Sequence, residues 1–148
     1  MLNLYNQVLD LSSTEELAKN LSKKLTPGDV IMLQGELGVG KTTLSKFIIN
    51  NLYLLNKIKK PLVVSSPTYP ILLTYDLNYY SIYHYDLYRI KNIKELEELD
   101  FYENIKNSIT LIEWPEILID LPFNKKYYLV NLYIQSEMKR VINIKYFE

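Results

Sequence analysis

Eight consecutive residues, 35–42, carry the clearest chemical signal in this sequence. They read Gly-Glu-Leu-Gly-Val-Gly-Lys-Thr and match the pattern G-x-x-x-x-G-K-[ST], whose glycines let several backbone N–H groups turn towards one anion. In such a loop Lys41 would neutralise the outer phosphates of a nucleotide, and the Thr42 hydroxyl would bind Mg²⁺. The pattern therefore predicts a site for a nucleoside triphosphate and its magnesium ion.

A phosphate-binding loop needs a carboxylate near its metal ion, and two acidic residues are candidates. Asp86 follows the apolar stretch 82–85, and Glu113 follows 109–112, so each would stand at the end of a buried strand. Spacing and composition do not choose between them as Mg²⁺ partners. Either one could instead be a solvated acid or a cap at a strand end.

Three other side chains have a functional and a structural interpretation. Thr68 lies in the proline-stiffened segment 65–70, where it could sense the terminal phosphate, although a turn residue is the favoured interpretation. His84 alternates with its neighbours on a predicted strand and fits a core histidine as well as a catalytic one. Trp114, the one tryptophan, could line a nucleotide site beside Glu113 or belong to the core.

The spacing of apolar residues and turn signals predicts the elements that would hold these residues. A capping-box pattern opens a helix over 13–25, a second helix begins near Lys41, and a third, acidic helix covers 92–99. Strands are predicted at 30–33, 62–64, 71–75, 80–86, 109–112, 128–135 and 141–147. This order indicates an α/β fold with a mainly parallel central sheet, antiparallel additions and a C-terminal hairpin.

Composition narrows the function classes. The 148 residues suit one domain, 1–148, and the equal counts of basic and acidic residues argue against direct nucleic-acid binding as the main activity. The chain has no cysteine and a single histidine, which excludes a disulfide framework and a multi-histidine zinc site. No apolar run approaches the roughly 18 residues of a membrane span, and no targeting pattern opens the chain, so we expect a cytoplasmic protein with no membrane contact.

Glycine usage separates the classes of phosphate-loop protein. All four glycines lie within 28–40, so the D-x-x-G segment of a GTPase cannot occur later in the chain, and no N-K-x-D motif is present to read guanine. A small-molecule kinase would bring several arginines to its phosphates, whereas this chain has only Arg89 and Arg140. A stand-alone kinase is therefore the weaker alternative to an ATPase. A nucleotide-dependent interaction module is a third possibility, because no arginine finger is evident.

Four segments occur together in a recognisable order. These are the loop 35–43, Ser-Pro-Thr-Tyr at 66–69, His-Tyr-Asp-Leu-Tyr-Arg at 84–89, and Glu-Trp-Pro at 113–115. Together they resemble the bacterial TsaE family, the ATPase of tRNA threonylcarbamoyladenosine biosynthesis, and the resemblance spans essentially the whole chain. It implies a P-loop NTPase-like three-layer sandwich that uses ATP and Mg²⁺.

The resemblance also implies partners and residue roles. The protein would act with the TsaD and TsaB subunits, which modify the adenosine beside the anticodon in tRNAs reading codons that start with A, and it would meet tRNA only through that complex. Lys41, Asp86 and Thr68 would be catalytic, while Thr42, Glu113 and Asp86 would serve the metal ion. The nucleotide would be held by Gly35, Gly38, Val39, Gly40, Lys41, Thr42, Thr43, Trp114 and, with less support, Arg140.

In two places the sequence departs from the family pattern. Family members often have a glycine after the acidic helix and another in the last hairpin turn, where this chain has Glu-Leu-Asp-Phe at 98–101 and Ser-Glu-Met-Lys at 136–139. The family pattern therefore does not predict the loop conformations, or the partner surface near them, in these two places.

Overall fold

The computed structural model describes residues 2–119, 123 and 125–148. Its elements, in chain order, are β1 (Leu4–Leu9), α1 (Leu11–Ser22), β2 (Val30–Gln34), α2 (Lys41–Leu55), β3 (Leu72–Asp76), β4 (Ser81–Asp86), α3 (Lys94–Glu97), α4 (Phe101–Asn104), β5 (Ile109–Glu113), α5 (Glu116–Ile119), β6 (Tyr127–Ile134) and β7 (Arg140–Phe147).

The strands form one seven-stranded sheet in the order β1-β7-β6-β2-β5-β4-β3. The four central strands β6, β2, β5 and β4 run parallel. At one edge β3 pairs antiparallel with β4, and at the other β7 pairs antiparallel with both β6 and β1. The prediction of a mainly parallel sheet with antiparallel additions and a C-terminal hairpin is therefore confirmed.

Apolar side chains cover both faces of the sheet. On one face, residues of α1 and α2 pack against β2, β5 and β6, as Leu21, Leu44 and Ile31 illustrate. On the other face, the short helices α3, α4 and α5 contribute Leu96, Phe101 and Leu118 to a second core. The central strands are buried on both sides, which is why their sequences are continuous apolar runs.

The register of the parallel strands brings the predicted site residues to one edge of the sheet. Leu33 pairs with Glu113, and Asp86 pairs with the same glutamate from the other side. Because parallel strands end at the same edge, the loop that follows β2 meets the carboxylates that end β4 and β5. In open α/β sheets, this carboxyl edge is where ligands bind.

In the first half of the chain, two predictions are wrong and one strand is not predicted at all. Strand β1 was not predicted, and the helix over 13–25 instead runs from Leu11 to Ser22, because Asp10 caps it: the Ser13 backbone N–H donates to Asp10 Oδ1 over 2.8 Å. That bond lowers the pKa of Asp10. The predicted strand 62–64 is irregular, and Leu62 and Val63 are 98% and 71% exposed, so apolar composition there does not reflect burial.

The predicted acidic helix over 92–99 is wrong in its extent. One bond of its capping box forms, since the Asn92 backbone N–H donates to Glu95 Oε1 over 2.9 Å, whereas Asn92 Oδ1 accepts from the Lys94 N–H over 3.0 Å. However, the helix ends at Glu97, and Asp100, at φ +52°, separates it from α4. The remaining predicted strands agree with the structure within one or two residues. Among the described residues, no helix is both long and apolar enough to cross a membrane.

Candidate nucleotide-binding site

The loop between β2 and α2 has the backbone shape that its sequence predicts. Gly35, Gly38 and Gly40 have positive φ values of 151°, 77° and 115°. At Gly35 a Cβ atom would lie 2.6 Å from the Leu132 carbonyl oxygen, so only glycine fits between the loop and β6. Gly40 immediately precedes α2, and the first N–H groups of this 15-residue helix therefore open towards the loop.

Lys41 is buried within the loop, with 4% of its surface exposed. Its ammonium donates to the carbonyl oxygens of Gly35 and Glu36 over 2.6 and 2.9 Å, and it lies 3.8 Å from the centre of the Trp114 ring. Burial lowers the pKa of Lys41, and the negative charge of Glu113 opposes that shift. The Lys41 ammonium is thus held at the loop by two uncharged carbonyl oxygens, which an anion can replace.

Thr42 and Glu113 are in direct contact. The Thr42 hydroxyl donates to Glu113 Oε2 over 2.8 Å, and Glu113 Oε1 lies 2.7 Å from His84 Nε2. His84 is fully buried, which agrees with the core interpretation, and it also belongs to the site. The structure therefore joins a hydroxyl from the start of α2 to a carboxylate at the end of β5, two oxygen donors of the type that Mg²⁺ prefers.

Asp86 and Thr68 form a second pair. The Thr68 hydroxyl donates to Asp86 Oδ2 over 2.9 Å, and the Tyr88 backbone N–H donates to Asp86 Oδ1 over 3.0 Å. Ser66 lies 2.8 Å from the Thr68 hydroxyl, and Arg89 donates to the carbonyl oxygen of Thr68 over 2.7 Å. These contacts hold the irregular segment 65–70 against the end of β4, so Thr68 is more than a turn residue.

Trp114 lies at the mouth of the site in an uncommon backbone conformation. Its φ is +56°, which a bulky residue adopts at a cost of the order of 1–3 kcal/mol. The ring packs on Tyr88, with the two ring centres 4.8 Å apart, and faces the Lys41 ammonium on another side. The interpretation of Trp114 as a residue of the nucleotide site thus agrees with its position.

Two cavities meet at the phosphate loop. The first, of about 300 Å³, is lined by Leu37, Gly38, Gly40, Lys41, Thr42, Thr43, Thr68, Asp86, Tyr88, Glu113 and Trp114. The second, of about 260 Å³, shares Gly38, Gly40 and Thr43 and continues past Val39 to Leu9, Leu11, Thr14 and Met138. The loop therefore separates a cavity that holds Asp86 and Glu113 from one built by the end of β1, α1 and the last hairpin.

Arg140 lines the second cavity. Its Nε donates to the Val39 carbonyl oxygen over 2.8 Å, and its Nη1 donates to carbonyl oxygens of the turn 136–139. The structure therefore brings together nearly all the predicted site residues. Arg140 and Val39 line the second cavity, and Gly35 lies at the start of the loop, against Leu132.

Sequence reasoning gave no site role to Tyr88, Arg89, Ser66 or the segment 9–11. Tyr88 and Arg89 stand two and three positions after Asp86, so their place in the same motif was the available signal. The segment 9–11 lies near the loop only because β1 pairs with β7, and no local pattern indicates that pairing.

Fold and site together define a class: a mixed α/β protein with a glycine-rich loop and two carboxylates at the carboxyl edge of its parallel strands. Residues 8–142 match the family model described as "Threonylcarbamoyl adenosine biosynthesis protein TsaE". The chain belongs to the TsaE family.

Relatives and a solved structure agree with this assignment. A protein of Rickettsia felis named tRNA threonylcarbamoyladenosine biosynthesis protein TsaE is 40% identical, over 88% of this chain and 73% of its own length. Proteins of the same name from Rickettsia bellii and Synechocystis are 36% and 37% identical and cover 97% and 76% of this chain, with 96% and 71% of their own lengths matched. The crystal structure of Bacillus subtilis YdiB superimposes with a TM-score of 0.64, at 22% identity, over 97% of this chain and 87% of that one, which shows a shared fold.

Proposed function

We propose that this protein binds ATP with Mg²⁺ in a P-loop NTPase-like site and hydrolyses it to support threonylcarbamoyl modification of tRNA adenosine, together with TsaD and TsaB subunits. The relatives are named for that biosynthesis. The observation that carries the proposal is the bond between Thr42 and Glu113, placed beside the Lys41 ammonium in one cavity.

The donor set suits Mg²⁺ bound together with phosphate. Within the described part of the chain, no group of three or more histidine, aspartate and glutamate side chains could hold a metal ion by itself. Magnesium usually keeps several waters and takes one or two carboxylates plus substrate phosphates, so Thr42 and Glu113 are sufficient protein partners. When bound, the ion would neutralise charge on the outer phosphates.

The remaining polar groups divide the work on the phosphates. Lys41 would exchange its two carbonyl partners for phosphate oxygens, and the open N–H groups at the start of α2 would add donors. Asp86 is fixed by Thr68 and by the Tyr88 N–H, so it would orient the attacking water or serve the metal ion. Thr68 would couple the segment 65–70 to the terminal phosphate.

The second cavity suits the nucleoside. It adjoins the phosphate loop at Gly38 and Thr43, and apolar side chains from β1, α1 and the last hairpin line it. A nucleotide whose phosphates lie in the loop could place its base there. Arg140, held by the Val39 carbonyl, would border the base or ribose.

Both arginines of the chain are already engaged with backbone carbonyls. Arg89 binds the segment 65–70, and Arg140 binds Val39 and the hairpin turn. Neither lines the cavity that holds Lys41 and the two carboxylates, where an arginine that stabilises charge on a transferring phosphoryl group contributes roughly 10³–10⁵ in rate. We therefore propose slow hydrolysis by the protein alone, and a role for partner subunits in completing the cycle.

The test compares Lys41→Ala with Lys46→Ala, a matched loss of one lysine from the same helix outside the cavity. With TsaD, TsaB, ATP, threonylcarbamoyl donor and tRNA, wild type and Lys46→Ala should support repeated rounds of modification. Lys41→Ala should lose nucleotide binding by titration calorimetry and fail to support repeated rounds. Full multiple-turnover activity of Lys41→Ala would refute the proposal, and phosphate transfer from ATP to a metabolite without partners would favour a kinase.

A further inference from the structure

The only histidine of the chain lies directly beneath the carboxylate proposed to serve the metal ion. The His84 side chain is 0% exposed, and its Nε2 lies 2.7 Å from Glu113 Oε1, while the Glu113 side chain is 3% exposed. Among the buried side chains that the structure describes, His84 Nδ1 is one of two polar groups without a hydrogen-bond partner, with the Ser45 hydroxyl.

This geometry shows which ring nitrogen donates to Glu113. An ionised carboxylate only accepts hydrogen bonds, so a proton must be on Nε2 for the 2.7 Å contact to be favourable. The His84 ring therefore donates to Glu113 through Nε2–H.

The two bonds of Glu113 fix the orientation of its carboxylate. Oε1 accepts a hydrogen bond from His84 Nε2, on strand β4. Oε2 accepts one from the Thr42 hydroxyl, at the start of α2. Without the histidine donor, the carboxylate could rotate about its last bond, and a buried oxygen would have no partner. The His84 donor therefore orients the carboxylate.

We propose that His84 is a positioning residue whose Nε2–H holds Glu113 in the orientation that accepts the Mg²⁺–nucleotide. This inference rests on the proposed ATP site and deepens it, because it names the group that orients the metal-binding carboxylate. Groups that orient metal-binding side chains from behind typically contribute 10–100-fold to metal affinity. His84 has no need to touch the nucleotide for this role.

The first experiment examines the hydrogen bond of His84 in the nucleotide-free protein. Because the chain contains one histidine, a sample labelled with ¹⁵N at histidine gives a single imidazole spectrum. We expect a proton on Nε2 that exchanges slowly with water, because the nitrogen is buried and bonded to Glu113. An Nε2 without a proton, or one whose proton exchanges as fast as that of a free imidazole, would overturn the inference.

The second experiment measures how much Mg²⁺ tightens ADP binding in His84→Met, His84→Gln and wild type. Methionine removes the donor at similar size, whereas a glutamine amide can still donate to Glu113. We expect His84→Met to lose at least about 10-fold of the Mg²⁺-dependent affinity. His84→Gln should recover most of it, and ADP affinity in excess EDTA should be the same in all three proteins.

Tyr85→Phe serves as the control for general damage to β4. Its hydroxyl, 3.0 Å from Asn104 Nδ2, belongs to the opposite face of the sheet, so the Mg²⁺ dependence of ADP binding should stay as in wild type. An unchanged Mg²⁺ dependence in His84→Met, or an equal loss in His84→Met and His84→Gln, would overturn the inference. If wild type itself shows no gain from Mg²⁺, the proposed function fails, which is a different result from failure of the variants alone.

Discussion

Lys41, the residue proposed to bind phosphate, is held in a position that lowers the stability of the fold. It is nearly buried, its ammonium is shared between two carbonyl oxygens and an aromatic ring, and burial lowers its pKa. A lysine whose pKa falls on folding destabilises the folded state while it is charged. The loss of stability has a counterpart in binding, because a desolvated charge interacts more strongly with an incoming anion.

We therefore expect Lys41→Met to raise the free energy of unfolding at neutral pH while abolishing ADP binding. The unfolded chain binds the lysine proton more tightly than the folded protein does, so wild-type stability should rise as pH increases from the lowered folded pKa towards 10.5, the ordinary value. The advantage of Lys41→Met should shrink over the same range. Urea titrations of both proteins between pH 7 and 10 measure this difference, and a constant or widening gap would contradict it.

At the scale of elements, the joint between α3 and α4 departs from the family pattern. Asp100 has φ +52° and ψ +29°, the left-handed region that glycine enters without strain, and its side chain is exposed and makes no capping bond. The departure noted in the sequence thus changes the residue but leaves the chain in a conformation suited to glycine. The strain is local, so it can be relieved without altering the site.

Asp100→Gly should therefore be more stable than Asp100→Ala by about 1 kcal/mol, because alanine gains nothing from the left-handed region. Glu98, two residues earlier, has a right-handed helical φ of −65°. Glu98→Gly should lower stability relative to Glu98→Ala by roughly 0.5–1 kcal/mol, as expected for glycine in a helical conformation. Chemical denaturation of the four variants checks both signs, and the same order of stability at both positions would refute the argument.

In the whole molecule, the central strands of the sheet are buried and the strands at its two edges are more exposed. Strands β2 and β5 are buried along almost their entire length, whereas β1 is mainly exposed and β3 alternates. Strand β1 pairs only with β7, through an irregular register near Asn6, and β3 pairs only with β4. The phosphate loop and both carboxylates are attached to the central strands.

Native-state hydrogen exchange should reproduce this division. Amides of β2 and β5 should exchange only through global unfolding, while those of β1 should exchange through local opening at a lower free energy. Adding Mg²⁺ and ADP should slow exchange in the central strands, since a ligand that binds only the folded state raises the free energy of global opening by about 2.7 kcal/mol at 100 times its dissociation constant. Equal protection of β1 and β5 without nucleotide would contradict this view of the molecule.

The sequence predicted best where one local pattern has one physical meaning. Residues 35–42 specify a loop and the helix after it, and the apolar runs at 30–33 and 109–112 specify buried strands, because their signals lie within a few residues. The pattern failed at 62–64, where Val64 is buried but Leu62 and Val63 are exposed, and at the start of α1, where Asp10 and not Ser13 is the N-cap. Strand β1 was missed because its pairing partner lies more than 130 residues away.

By itself, the sequence determined the phosphate-loop motif, the α/β class and the candidate acids Asp86 and Glu113. Only the tertiary structure decided the hydrogen-bond partners of those acids: Glu113 contacts Thr42 and His84, and Asp86 contacts Thr68. The reason is that a motif fixes neighbours along the chain, whereas these contacts depend on parallel register, which aligns the ends of strands far apart in sequence. That register places a buried histidine against one carboxylate and a threonine against the other.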